Sequence, residues 1–140
     1  MGRVMWMAVV WALLLTGCGR EEPEEGMDVV RNRVVIMEHG TIEHLAIVTN
    51  TGEVEDWEEC AMEIIEHCVN NDFQTVRFSY DRNGYPVELH AEVYLTKEDM
   101  KNGEAVFSMS YVQDESYGYQ YNIKEHPEKF YLELKEIPAT

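Results

Sequence analysis

One stretch of this chain has helical period, and nearly everything after it has the period of strands. Between Glu53 and Asn70, the residues Trp57, Cys60, Ala61, Ile64, Ile65 and Cys68 recur three and four positions apart. That spacing places them on one stripe of an α-helix. Glu53, Glu55 and Asp56 at its start suit the positive end of the helix dipole, and Asn70-Asn71 supplies a stop. One amphipathic helix cannot bury its own stripe, so a sheet must lie against it.

The flanking segments supply that sheet. Arg33 to Glu38 and Thr41 to Thr49 are β-branched runs around His39-Gly40, the pattern of a β-hairpin. After the helix, Thr75 to Tyr80 alternates, with Val76, Phe78 and Tyr80 on one face, and Asn83-Gly84 between it and the next strand is a hairpin signal. Val87 to Leu95 alternates more strictly. It sends Val87, Leu89, Ala91, Val93 and Leu95 to the core and Glu88, His90, Glu92 and Tyr94 outward. Residues 96–103 read as a polar turn or a single helical turn. Ala105 to Val112, Tyr117 to Ile123 and Phe130 to Leu134 read as three more strands. The expected fold class is α+β: an N-terminal β-hairpin, one amphipathic helix, then an antiparallel β-meander packed on the helix.

The chain opens differently. Arg3 precedes an apolar run from Val4 to Leu15, the layout of a secretory signal, and too short for the roughly 20 residues that span a bilayer. The run ends in Leu15-Thr16-Gly17-Cys18, which resembles the lipobox of bacterial lipoproteins. The resemblance implies cleavage before Cys18 and a diacylglycerol thioether on Cys18. The expected organisation is a signal peptide at 1–17, a lipidated Cys18 with an acidic tether at 18–28, and a single domain at 29–140. The expected location is the bacterial cell envelope, on the outer side of the cytoplasmic membrane or in the outer membrane of a host that has one.

The formal net charge of −16 sets phosphate backbones against this surface, so nucleic acid is not an expected partner. It also leaves the acyl chains to supply membrane affinity. Cys60 and Cys68 lie eight residues apart on one helix, about 12 Å along its axis. That is too far for a disulfide between them, and both are expected as core residues.

Residues 33–112 resemble a family of small exported bacterial domains known only as a domain of unknown function. The resemblance is carried by Tyr80, Asp81, Gly84, Tyr85 and Pro86. The chain departs from that family in lacking a cysteine-bearing segment before the first hairpin and in having Ala91-Glu92 where an aspartate is usual. The resemblance implies fold and location and supplies no catalytic residues.

Nucleophile signatures of the Gly-x-Ser-x-Gly and Ser-x-x-Lys kinds, His-Glu-x-x-His and glycine-rich phosphate loops do not occur in the sequence. No cofactor is expected, and the chain is read as a non-enzyme. Two constellations remain. Glu88, His90 and Glu92 project from one face of a strand, where a ligand from a neighbouring strand would complete a divalent-metal site. Tyr111, Tyr117, Tyr119 and Tyr121 at alternate positions form an aromatic platform for a sugar or peptide, or pack across strands. The function these features favour is a membrane-anchored envelope lipoprotein that binds an envelope protein or wall component. The alternative is a lipoprotein that binds a divalent metal or small ligand.

Overall fold

The structure, a computed structural model, describes residues 26–137. Cys18 and the signal segment lie outside the described residues. Five strands form one sheet in the order β1-β2-β3-β4-β5: β1 (Asp28–Met37), β2 (Gly40–Val48), β3 (Glu88–Tyr94), β4 (Phe107–Gln113) and β5 (Phe130–Glu136). The helix α1 (Trp57–Asn70) joins β2 to β3, together with the single turn α2 (Tyr80–Asn83). A second short helix, α3 (Lys97–Lys101), joins β3 to β4.

The hairpin forms, but its two-residue turn is Glu38-His39 rather than His39-Gly40, and Gly40 pairs with Met37 as the first residue of β2. Gly40 has φ +153°, and a Cβ there would lie 2.5 Å from Val87 Cγ1, so only glycine fits. The sheet starts at Asp28, inside the segment assigned to the tether. The buried Asp28 carboxylate explains this. It accepts hydrogen bonds from the Gln74 backbone N–H at 3.1 Å and the Thr75 hydroxyl at 2.8 Å, tying the first strand to the loop after α1.

The helix is shorter than its expected range. Asp56 caps it, accepting from the Glu59 N–H at 3.0 Å, which leaves Glu53 and Glu55 in the preceding loop. Asn71 ends it in the left-handed conformation. Ala61, Ile64, Ile65 and Cys68 are buried against Leu45, Ile47, Leu89, Val93 and Met109 of the sheet. Trp57 stacks on Phe107 at 5.1 Å. Both cysteines are free, Cys68 in the core and Cys60 at its margin. Burial, assisted by Glu63, pushes the Cys60 thiol up to about 11.

Three features depart from the expected fold, and each for a physical reason. The strands after the helix do form an antiparallel meander, β3-β4-β5, but the sheet as a whole is mixed: β2 pairs parallel to β3, from Ile42 opposite Glu88 to Val48 opposite Tyr94. A helical crossover is the connection that allows parallel neighbours, and α1 provides it.

Residues 75–80 are not a strand and Asn83-Gly84 closes the helical turn α2 rather than a hairpin, because the place beside β3 is taken by β2. The Asn71 side chain supplies what a ladder would have supplied. Its Oδ1 accepts from Phe78 N–H at 2.8 Å and its Nδ2 donates to Phe78 C=O at 2.9 Å.

The segment 117–123 is likewise a loop, entered through a 3₁₀ turn at Glu115–Tyr117. Here the Gln113 amide is the substitute partner. It donates to Tyr121 C=O at 2.9 Å and Val87 C=O at 3.1 Å, and accepts from Tyr121 N–H at 3.2 Å.

Candidate functional site

With α1 on one face of the sheet, the other face is largely uncovered. The period-two pattern of the strands decides which side chains reach it. Arg33, His44, His90, Ser110 and Glu133 stand side by side across all five strands. The adjacent row runs Arg31, Ala46, Glu92, Ser108 and Lys135. Together the inner parts of these rows floor a trough of about 750 Å³. Tyr94, expected to face outward, is instead buried at one end of this face. There Met100 of α3 and Ala105 fold over Ala46, Val48 and Tyr94.

The imidazoles organise the trough. His44 and His90 are brought together by the parallel β2–β3 register and stack with centroids 5.0 Å apart at 14°. His90 is held at both ring nitrogens, with Glu88 Oε2 at 2.6 Å from Nε2 and Ser110 Oγ at 2.9 Å from Nδ1. Burial lowers the pKa of His44, reinforced by the neighbouring His90 and the Arg33 guanidinium and opposed by Glu88. His44 is therefore neutral near pH 7, and its stacked ring presents an apolar plane beside two guanidinium groups.

Of the sequence-predicted metal set, Glu88 and His90 meet. Glu92 instead accepts a hydrogen bond from the Tyr94 hydroxyl at 3.4 Å. Among the described residues, no group of three or more His, Cys, Asp or Glu side chains is arranged to hold a metal ion.

The tyrosine set does not lie on a strand. Tyr117 and Tyr121 meet edge to face at 5.3 Å, and the Lys129 ammonium sits over both rings at 5.2 and 5.3 Å. Tyr121 also packs on His126 at 4.7 Å. Tyr119 is exposed and outside these ring contacts. Tyr111 belongs to the core and stacks on Phe130. This cluster folds the loop onto its own lysine, with cation–π attraction holding it there.

Glu88, His90 and Ser110 form a carboxylate–imidazole–hydroxyl chain, the order used to activate a serine nucleophile. The surroundings do not complete that chemistry. β3 and β4 are interior strands paired on both edges, so their backbone amides are committed to the ladder rather than aimed at a developing oxyanion. What the arrangement does is hold the His90 imidazole between Glu88 and the Ser110 hydroxyl, with Arg31 and Arg33 lining the same trough. Such a surface suits recognition of polar and anionic groups, to which arginine donates paired hydrogen bonds.

Arg31, Arg33, His44 and Ser110 were not singled out from the sequence. They sit at ordinary solvent positions of alternating strands, and only the strand order groups them. No helix among the described residues is long and apolar enough to cross a membrane. Compared with known proteins, the chain matches no family model, no curated protein and no solved structure.

Proposed function

We propose that this chain is a lipid-anchored lipoprotein of the bacterial cell envelope. In this reading its domain is a non-enzymatic binding module that engages an envelope protein or wall component through the open face of the sheet. Acylated Cys18 holds it on the outer side of the cytoplasmic membrane, or in the outer membrane where the host has one. The observation that carries the reading is the one-sided sheet. One face is sealed by α1, while the other lays out Arg31, Arg33, His44, His90 and Ser110 over a 750 Å³ trough. On this face Arg31, Arg33 and Lys135 stand among Glu88, Glu92 and Glu133, and the two exposed guanidinium groups beside the trough offer paired donors to a carboxylate or other anionic group of the ligand.

The test uses the full chain in non-ionic detergent, immobilised and exposed to solubilised envelope from the source bacterium. A single species recovered in stoichiometric amount, and lost with Arg33→Glu while thermal stability is retained, is the expected result. Equal recovery by the variant, or no stoichiometric species at all, would refute the binding surface. The anchor is checked separately. Cys18→Ser is expected to abolish incorporation of labelled fatty acid, and undiminished labelling would refute lipidation at that residue.

A further inference from the structure

On the helix side of the sheet, one feature is used by neither the core nor the open face. Glu43 lies on the inward row of β2, between Thr41 and Leu45, with only 2% of its surface exposed. Its Oε1 receives the Tyr80 hydroxyl at 3.4 Å and the Asn32 side chain approaches the carboxyl, but its Oε2 is buried and within hydrogen-bond geometry of no described residue. Leaving a buried carboxylate oxygen unpaired costs about 1–3 kcal/mol or more, and native proteins rarely tolerate it without a purpose.

Glu43 lines a cavity of about 130 Å³ between the inner face of β1 and the loop 77–84. The floor beside it is aromatic, from the buried Phe78 and Tyr80. The rim carries the exposed Asn32, Ser79 and Val34, and Arg77, whose Nη1 donates to the Phe73 and Val76 carbonyls. The combination is one carboxylate, neutral oxygen acceptors, a guanidinium committed to backbone carbonyls and an aromatic wall, opening to solvent at an uncovered edge strand.

We propose that this cavity is a binding site for a small primary ammonium ion, with Glu43 Oε2 accepting one of its three N–H bonds. The donor set fits that cation better than a metal. A calcium ion takes six to eight oxygens and usually several carboxylates, whereas here a single carboxylate is joined by an amide and hydroxyls. A primary ammonium is satisfied by three acceptors. The volume admits an amine with a short alkyl chain, about the space of four waters. The chain's negative charge raises the local concentration of any cation. Burial raises the Glu43 pKa and a bound cation lowers it again, so binding releases a proton where the free carboxyl is still protonated. This site is independent of the trough on the opposite face.

The test is calorimetric titration of the full chain with n-propylammonium chloride at fixed ionic strength, with n-propanol and calcium chloride as comparisons. Saturable one-to-one binding is expected for n-propylammonium alone, accompanied by proton release that scales with buffer ionisation enthalpy. Glu43→Gln is expected to weaken it at least tenfold. Val34→Phe, which closes the rim from an exposed position, is expected to do the same without lowering the melting temperature. Should Glu43→Gln fail to fold, Val34→Phe decides alone. Absence of saturable binding, equal binding of propanol or calcium, or unchanged affinity in Val34→Phe would overturn the proposal.

Discussion

At the scale of single residues, the inward face of the sheet carries one charge-bearing group whose energetics depend on pH. Burial of Glu43 favours its neutral form, opposed more weakly by the approach of Asn32 and the Tyr80 hydroxyl. The folded carboxyl therefore titrates above its unfolded value. Its contribution to stability is fully present below the ordinary carboxylate range and is lost as pH rises through the raised folded value. Urea unfolding of the chain is accordingly expected to show lower stability at pH 8 than at pH 5. Glu43→Gln is expected to remove most of that slope and to be about 1–2 kcal/mol more stable than the parent at pH 8. Parallel stability curves for the two proteins would show that the carboxyl is solvated. A sequence signal for Glu43 existed. In Thr41 to Thr49 it shares the parity of Leu45 and Ile47, a carboxylate on the apolar side of an alternating strand. Its unpaired oxygen was not legible, because pairing depends on Tyr80, which is 37 residues away.

At the scale of elements, two side-chain amides decide what the loops become. Asn71 and Gln113 each bracket the backbone of a distant residue and so take the role of a neighbouring strand. Phe78 and Ile123 are thereby buried without a ladder. Alternation in 75–80 and 117–123 was real, yet it reflected alternate burial of an extended segment rather than strand pairing. Periodicity reports which side chains face the core, and an amide clamp satisfies that as well as a sheet does. Gln113→Ala is expected to destabilise by about 1–3 kcal/mol, since it orphans the Tyr121 backbone and Val87 C=O together. Limited chymotrypsin digestion should then cut faster at Tyr117, Tyr119 and Tyr121. An unchanged cleavage rate would mean that the cation–π cluster around Lys129 holds the loop by itself.

For the whole molecule, the sheet has a protected centre and two unpaired margins. Ile47, Leu89, Val93, Phe107 and Met109 lie on β2, β3 and β4 and are essentially inaccessible, while β1 and β5 are edges with Val34, Ile36, Tyr131 and Leu134 exposed. Amide exchange is expected to be slowest at Leu45, Ile47, Leu89, Ala91, Val93 and Met109, where opening requires loss of the α1 packing. The outer residues of β1 and β5 should exchange at least tenfold faster. Uniform protection across all five strands would show that the edges are covered by something beyond the described residues.

What the sequence determined by itself is the facing of side chains within each element. The stripe on α1, the outward Glu88, His90 and Glu92, and the hairpin at residue 40 all follow from local period and turn chemistry. The α+β class follows too, because one amphipathic helix beside alternating strands has few other ways to bury its stripe. Tertiary structure alone decided which strands are neighbours. Parallel pairing of β2 with β3 keeps every inward residue inward, as antiparallel pairing would, so nothing in the local pattern could register it. It did change the outer face, setting His44 against His90 and Arg33 one strand away. The site is a property of register, and register is written in contacts between residues far apart in the chain.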